Sequence, residues 1–367
     1  FTMYVTKFLK IAIAAAFITQ IASLSMSSTT SLTSKTTHNP HYSLGGNKLR
    51  DIAITAARHD VSETMDLNGI MWFEHINLVV GSKPLAERFY LDFLGLTKDA
   101  SKSFHLNLGQ QQFHLAENGE PAQCVTGSIG MVVPNLDTLR QRADVAYEDL
   151  KDTQFEIMDD DAGCMTISCP WGNRLHLYDA RDDDNQKSGG ESSLLMVKKH
   201  SDGDAYGAHR MTVRGNPGIR YLEVICRTGT SPAIARFYEE MLGCTVSTGT
   251  SGRAVVCIGP GVHLVYVEDE RLSNSDVKQM EGVHVCIYVN DFKGLYNRLA
   301  SRDLIWTNPR FLYLDSCDTW EEAMASRTLR FKDIIDLSTG EKILELEHET
   351  RSLRHGQYLK VPKYEPK

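Results

Sequence analysis

Short β-like runs occur along the chain between residues 70 and 350, and amphipathic helical segments separate them. The runs at 73–80 and 221–227 are rich in the branched and aromatic residues that strands favour. Each is followed by a segment with helical periodicity, at 84–95 and 232–243, that carries Pro in its first turn and ends in Gly. The pattern predicts a strand followed by a helix in both places.

The two helical segments are copies of one motif. Residues 84–95 read Pro-Leu-Ala-Glu-Arg-Phe-Tyr-Leu-Asp-Phe-Leu-Gly, and residues 232–243 read Pro-Ala-Ile-Ala-Arg-Phe-Tyr-Glu-Glu-Met-Leu-Gly. Further β-like runs follow each helix, and the order strand–helix–strands starts again near Gly127 and near Gly282. Because a repeat of this kind indicates a duplicated supersecondary unit, the chain is predicted to contain four βαβββ modules, two in each half.

Changes of composition divide the chain into five segments. A polar stretch rich in Asp and Gly separates the repeated halves and is typical of a linker, and the C-terminal residues are basic. The predicted segments are a targeting and disordered lead-in at 1–68, a first domain at 69–180, a linker at 181–216, a second domain at 217–350 and a C-terminal tail at 351–367.

The N-terminal residues have the composition of a targeting signal. Lys7 and Lys10 precede an apolar stretch that Gln20 interrupts, so the stretch is typical of a signal sequence and short for a membrane span. A Ser- and Thr-rich stretch without acidic residues follows at 26–35, as in transit peptides. This predicts an organelle such as a plastid, or the secretory pathway, and no stable membrane span in the mature protein. An uncleaved signal anchor and a gene-model extension are the alternatives.

The overall composition is that of a globular protein and argues against nucleic acid as a partner. The net charge is −8 and 42% of the residues are hydrophobic, whereas phosphate binding needs a basic face. Eight cysteines form no Cys-x-x-Cys pair, which argues against a structural zinc knot and favours small buried thiols. The sequence has no phosphate loop and no nucleophile elbow. The predicted partner is therefore a small-molecule substrate, and a monomer and a homodimer are both compatible with the sequence.

The motifs resemble those of a known superfamily. Arg-Phe-Tyr-x3-Leu-Gly occurs at 88–95 and 236–243, and Pro-x-Gly-Asn-Arg-Leu-x-Leu occurs at 170–177. With the paired modules, these motifs resemble the vicinal oxygen chelate superfamily of glyoxalases, bleomycin-resistance proteins and extradiol dioxygenases. The resemblance implies an α+β fold of two tandem glyoxalase-like domains, in which each pair of βαβββ modules forms a cupped mixed sheet. It also implies one divalent metal ion, held by side chains from the first and last strands of the paired modules.

In the second half, the resemblance places four candidate metal ligands on strands: Glu223, His263, His284 and Glu345. Glu347 lies on the same strand face as Glu345 and is a rival for the last position. Two carboxylates and two imidazoles would suit zinc, nickel, manganese or iron. In a glyoxalase-like reaction, the resemblance implies that Glu345 or Glu223 acts as the catalytic base.

In the first half, the equivalent positions hold His75, His114 and His176, and Ser128 takes the fourth place. Three imidazoles would suit zinc, iron or copper, so this half is predicted as a second, weaker site. The plainer interpretation is that a single histidine within a strand is a hydrogen-bonded core residue.

Two functions from different classes follow. The first is a metal-dependent enzyme acting on a small oxygenated substrate. It would be either a lyase or isomerase that moves a proton next to a carbonyl, or a ring-cleaving dioxygenase that uses ferrous iron. The alternative is a non-catalytic binding protein that uses the same cup without a metal. Ligand side chains that converge within a few ångströms would favour the enzyme.

Overall fold

The computed structural model describes residues 69–181, 217–272 and 280–360, apart from a few single positions and pairs within these ranges at 101, 103, 110, 162–163, 250–251, 260 and 281. The predicted targeting segment at 1–68, all but the first residue of the predicted linker and the end of the predicted tail lie outside the described residues. No helix within the described ranges is long and apolar enough to cross a membrane.

The described part of the first half contains two modules, each with four strands and one helix. The elements are β1 (Ile70–Val79), α1 (Lys83–Ala86, continued by π-helical turns over Glu87–Phe93), β2 (Thr97–Lys98), β3 (His105–Leu108), β4 (Gln111–Ala116), β5 (Ser128–Val133), α2 (Leu136–Leu150), β6 (Glu156–Asp161), β7 (Cys164–Ser168) and β8 (Arg174–Asp179). The strand–helix–strands order matches the predicted βαβββ pattern in both modules.

The described part of the second half repeats this order once in full. The elements are β9 (Gly218–Arg227), α3 (Ser231–Leu242), β10 (Val246–Gly249), β11 (Arg253–Cys257), β12 (His263–Asp269), β13 (His284–Val289), α4 (Phe292–Ala300), a 3-10 turn (Pro309–Phe311), α5 (Leu312–Asp315), α6 (Trp320–Ser326), β14 (Thr328–Ile335) and β15 (Lys342–Ser352). In the fourth module, two strands rather than three follow helix α4. The intervening stretch forms the 3-10 turn and two short helices.

The repeated helices form where the sequence predicts them. Helix α3 has Pro232 in its first turn, and it ends at Gly243, whose φ of 71° is left-handed. Glycine adopts this conformation without steric cost, which explains the residue at the end of the motif. Phe237 and Met241 are four positions apart and both are buried on one face of the helix. Through this face α3 packs against β10 and β11 and also against β14.

The described strands form two mixed sheets. Sheet I has the order β14-β15-β13-β1-β4-β3-β2, and sheet II has the order β10-β11-β12-β9-β5-β8-β7-β6. The predicted α+β fold, with paired modules in two mixed sheets, is confirmed. The modules that pair are the first with the fourth, through β1 and β13, and the second with the third, through β5 and β9.

Each sheet therefore takes one module from each half of the chain, and the sheets do not coincide with the two halves. The hydrophobic pattern of the sequence does not predict this pairing. All four modules have an equivalent first strand, so the pattern alone is compatible with more than one pairing. The predicted C-terminal tail also begins inside sheet I, because β15 continues to Ser352 and includes Arg351.

Candidate metal centre

Three potential metal ligands converge on three adjacent central strands of sheet I. They are His75 on β1, His284 on β13 and Glu349 on β15, and their ligand atoms all lie within 4.8 Å of one another. Glu349 Oε2 lies 3.7 Å from His75 Nε2 and 3.4 Å from His284 Nε2. Two atoms bound to one ion at about 2.1 Å, at angles of about 90–110°, are about 3.0–3.4 Å apart. Glu349 is therefore close to the spacing that a shared metal ion requires from each of the two histidines.

An irregularity in β1 places two functional side chains on the same face. The pairing of β1 with β13 shifts register between Phe73 and His75. Phe73 and Ile76 both lie in the core, so the two residues between them, Glu74 and His75, both point away from it. Such bulges re-aim side chains next to functional sites. Strict alternation would have placed Glu74 on the face opposite His75.

The protonation states at the site suit a cation. Burial lowers the pKa of His75 well below its ordinary value, so the imidazole is neutral near pH 7. Burial by itself would raise the pKa of Glu349, but the guanidinium groups of Arg351 and Arg330 outweigh it and hold this pKa well below the ordinary value. The site therefore offers a neutral imidazole and an ionised carboxylate, the forms that coordinate a divalent ion.

The ring orientation of His75 also suits a ligand. Its Nδ1 donates to Glu74 Oε2 at 3.1 Å, which leaves Nε2 as the unprotonated nitrogen. His75 is only 1% exposed, and Nε2 has no hydrogen-bond partner among the described residues. A buried nitrogen lone pair without a partner is costly unless something binds it. Histidines that ligate metals commonly donate their other ring N–H to a carboxylate in this way.

A second ionic network adjoins the three candidate ligands. Arg330 on β14 is 2% exposed, and it donates to Glu347 Oε1 at 2.6 Å and to Asp315 Oδ2 at 2.6 Å. One of its nitrogens also lies 3.1 Å from Glu349 Oε2. The stretch that replaces a strand in the fourth module supplies Asp315, and it also supplies Asn308, whose Nδ2 donates to Glu347 at 2.9 Å. Glu347, the predicted rival ligand, is therefore held by other partners.

Glu345, the predicted last-strand ligand, lies on the same strand but is held by lysines. Lys332 Nζ donates to its Oε1 at 2.9 Å and Lys342 Nζ donates to its Oε2 at 2.6 Å. These two ion pairs engage both carboxylate oxygens. The structure gives Glu345 a role in joining β14 to β15, and it places Glu349 at the site instead.

The carboxylate at the site was missed because the hairpin lengths differ. His176 lies opposite Gly130 on β5, and Glu349 lies opposite Cys286 at the equivalent place on β13. His176 follows its turn glycine by four residues, whereas Glu349 follows Gly340 by nine, so Glu345, five residues after Gly340, lies closer to the turn than the position that the structure brings to the site. The alternation of Glu345, Glu347 and Glu349 was the available signal, since all three share one strand face.

The predicted set of four ligands does not converge. Glu223 on β9 and His263 on β12 belong to sheet II, whereas His284 and Glu345 belong to sheet I. The predicted first-half set divides in the same way, because His75 and His114 lie in sheet I and His176 lies in sheet II. The physical reason is the pairing of modules across the two halves.

His114 borders the site without joining the three ligands. Its ring stacks on His75 with centroids 3.5 Å apart, and His105 stacks on its other side at 3.5 Å. Its Nε2 is 2.9 Å from Gln112 Oε1. Burial lowers the pKa of His114 well below its ordinary value and lowers the pKa of His105 to about 4. The stacked rings are therefore neutral near pH 7 and add no positive charge beside the site.

A second group of three, Glu74, His75 and Cys286, also has closely spaced ligand atoms. Burial raises the pKa of Cys286 well above its ordinary value, so the thiol stays protonated and binds metals poorly. Glu74 already accepts hydrogen bonds from His75, Arg351 and Tyr288. Because one of its three donors is a protonated thiol, this group is a poorer metal site than the set of His75, His284 and Glu349.

In sheet II, the equivalent positions hold a hydrogen-bonded pair. Ser128 Oγ donates to Glu223 Oε1 at 3.2 Å, and His176 Nδ1 lies 3.1 Å from the Thr166 hydroxyl. Among the residues that the structure describes, groups of three potential metal ligands with closely spaced atoms occur in sheet I alone. The described part of sheet II thus lacks a comparable centre.

Glu223 provides a test of the local electrostatics in sheet II. Burial raises its pKa, and the Ser128 hydrogen bond offsets this only in part. A carboxyl with a raised folded-state pKa stabilises the fold at low pH, and this contribution is lost as the pH rises through that pKa. We expect Glu223→Gln to melt above the wild type at pH 7.5, with a difference that shrinks toward pH 4.5. Ser128→Ala should lower the melting temperature at pH 7.5, because it removes the hydrogen bond to Glu223. Thermal melts in which Glu223→Gln shows no gain that depends on pH, and Ser128→Ala shows no loss at pH 7.5, would contradict this account.

The described part of the predicted tail contacts residues of β1 and β13 in sheet I, the two strands that carry His75 and His284. Leu353 is buried with Cys286 and Tyr288, and the ring of Tyr358 lies 5.0 Å from the ring of Tyr288. Met71 and Trp72 pack against this cluster from β1. The residues that follow β15 therefore form part of the wall beside the candidate centre.

Comparison with known proteins gives structural similarity only. No protein-family model matches the sequence, and no curated protein matches it. Glyoxalase I from Zea mays shares 10% identity, with 77% of this chain and 92% of that chain covered and a TM-score of 0.42. A glyoxalase/bleomycin resistance protein from Albidiferax ferrireducens shares 15% identity over 29% of this chain and 97% of its own, with a TM-score of 0.23. The paired strand–helix–strand modules and the two mixed sheets of the described residues are the architecture that the sequence motifs predicted.

Proposed function

We propose that this chain is a metal-dependent enzyme of the dioxygenase type that binds ferrous iron through His75, His284 and Glu349. The observation that carries the proposal is the approach of one carboxylate oxygen to an imidazole nitrogen of each histidine, at 3.7 and 3.4 Å. Two histidines and one carboxylate on one side of an ion, with open positions opposite, are typical of non-haem iron oxygenases. When bound, ferrous iron would supply the activation of dioxygen next to a small oxygenated substrate.

The surrounding residues prepare this site for a cation. Arg351 Nε donates to Glu349 Oε1 at 2.6 Å, and Glu349 Oε2, which also lies 3.1 Å from an Arg330 nitrogen, is directed at the two histidines. Glu74 holds the His75 ring with Nε2 facing the same point. The stacked rings of His105 and His114 form a neutral wall. These contacts fix two of the three ligands, Glu349 and His75, before binding, which lowers the ordering cost when the ion enters.

The runner-up is a glyoxalase-like lyase or isomerase that uses zinc, nickel or manganese. The resemblance implied two carboxylates and two imidazoles for that chemistry. Glu347 and Glu74, like Glu349, each pair with an arginine, but Glu347 approaches only His284 and Glu74 approaches only His75, whereas Glu349 approaches both. Three protein ligands with open positions favour the dioxygenase.

The test is metal content of the full chain, purified without chelator and reconstituted with ferrous iron under nitrogen. We expect about one equivalent in the wild type and loss in His75→Ala, His284→Ala and Glu349→Ala. Matched controls of the same residue types, His263→Ala, Glu223→Gln and Glu345→Gln, should retain it, as should Cys286→Ala. Iron retained in His284→Ala, or lost in His263→Ala, would overturn the assignment of the ligands.

The reaction class is tested separately with the iron-loaded protein. We expect dioxygen uptake in an oxygen electrode with at least one member of a panel of aromatic diols, and none with the His284→Ala variant. If no diol supports uptake while zinc-, nickel- or manganese-loaded protein isomerises a hemithioacetal, the runner-up replaces the dioxygenase. A wild type that binds none of these metals would support the non-catalytic binding protein instead.

A further inference from the structure

We infer that Glu74 is a positioning residue that links two of the proposed ligands, His75 and Glu349, through Arg351. The inference deepens the proposed function and rests on it, because the role of Glu74 is defined toward the same metal site. Nothing in the sequence motifs singles out Glu74, since it precedes a candidate ligand in a strand and would ordinarily point to the opposite face.

The contacts of Glu74 form a connected chain across three strands. Its Oε2 accepts from His75 Nδ1 at 3.1 Å and from Arg351 Nη1 at 2.7 Å. Its Oε1 accepts from the Tyr288 hydroxyl at 3.0 Å, and the Cys286 thiol donates weakly to Oε2 at 3.4 Å. Arg351 then donates through Nε to Glu349 Oε1 at 2.6 Å. One carboxylate is thus connected to a histidine ligand directly and to the carboxylate ligand through one guanidinium.

These contacts determine what each ligand presents to an ion. The bond to Nδ1 fixes the tautomer and the plane of the His75 ring, so that Nε2 carries the lone pair. Arg351, oriented by Glu74, takes Oε1 of Glu349, and Oε2, which also lies 3.1 Å from an Arg330 nitrogen, is the oxygen nearest both histidines. Glu74 and Arg351 have side chains that are 17% and 14% exposed, so water competes little for these charge-assisted bonds.

Removing the acceptor should therefore weaken metal binding without removing a ligand. We expect the dissociation constant for Co(II), a spectroscopic substitute for iron, to rise about 10- to 100-fold in Glu74→Ala. Glu74→Gln should show a smaller rise, because its amide oxygen can still accept from Nδ1 but cannot neutralise Arg351. Tyr288→Phe removes one hydrogen bond to Glu74 and one from Arg351 but leaves both charges in place, so it should change the constant least. Competition with a chelator measures all three.

The visible absorption of bound Co(II) separates positioning from mere stability. We expect the spectrum of Glu74→Ala to differ from that of the wild type, because one imidazole is no longer fixed, whereas Glu345→Gln should keep the wild-type spectrum and affinity. If Glu74→Ala does not fold, Glu74→Gln is the test, since it retains a side chain of the same size.

The failure of this inference is distinguishable from the failure of the proposed function. Wild-type protein that binds no Co(II), or binds it equally well after His75→Ala, would remove the metal site itself. Wild-type protein that binds Co(II) and loses it in His75→Ala, while Glu74→Ala and Glu74→Gln keep both the affinity and the spectrum, would remove the positioning role alone.

Discussion

Arg330→Met should lower the free energy of unfolding of the metal-free protein by about 3–5 kcal/mol. Arg330 is 2% exposed, and its guanidinium is the shared partner of Asp315, Glu347 and Glu349. A methionine fills similar volume but leaves these carboxylates without their common cation. A buried charge that loses its partner costs far more than an exposed one, because water cannot replace the lost contact.

Urea unfolding followed by circular dichroism measures this effect, and a fall of the midpoint by about 1 M is expected for a chain of this size. Arg88→Met is the matched control, since Arg88 is 58% exposed and pairs with Asp92 one helical turn away. That variant should change the free energy by less than about 0.5 kcal/mol. An Arg330→Met midpoint within error of the Arg88→Met midpoint would show that the network contributes little to stability.

The two repeated helices could be predicted from the sequence because the residues that determine each of them lie close together in the chain. The helix motif fixes α1 and α3 through Pro in the first turn and apolar residues at helical spacing, and Gly243 ends α3. His75 and His284 were identified as candidates because each lies on the first strand of a module, a position that the resemblance implied. Both now lie at the candidate centre, but as members of one site rather than of two.

The partner of these histidines could not be assigned from the sequence. Glu345, Glu347 and Glu349 alternate on one face, and only the register of β15 against β13 selects among them. That register depends on the length of the β14–β15 hairpin, which is greater than that of the β7–β8 hairpin. The shift of register beside Glu74 is equally invisible, since a bulge changes which face a residue occupies without leaving a mark in composition.

The pairing of modules is a long-range property. All four modules begin with a strand of similar character, so the same apolar face can be buried by pairing within a half or between halves. The structure uses β1 with β13 and β5 with β9. This choice decides which histidines meet, and it explains why two partial sets of ligands were predicted where one site forms.

Because of this pairing, the two halves of the chain should not fold separately. A fragment ending within the linker, such as residues 69–198, would contain β1 without β13 and β5 without β9. Each of these strands lies in the interior of its sheet, so the fragment would expose two unpaired edges and the apolar surface beside them. The complementary fragment, 199–367, would expose the matching edges. We expect each fragment alone to aggregate or to lack a cooperative thermal transition.

Co-expression of the two fragments should instead give a soluble complex in about a 1:1 ratio, with metal content equal to that of the intact chain, because His75 and His284 come from different fragments. Size-exclusion chromatography, circular dichroism and elemental analysis measure these properties, with the uncut chain as the control. Pairing within each half would give the opposite result: each fragment would be soluble and fold cooperatively alone, and mixing would change nothing. The His284→Ala substitution in the second fragment, which should abolish metal binding by the complex but leave assembly intact, then separates the folding requirement from the chemistry of the site.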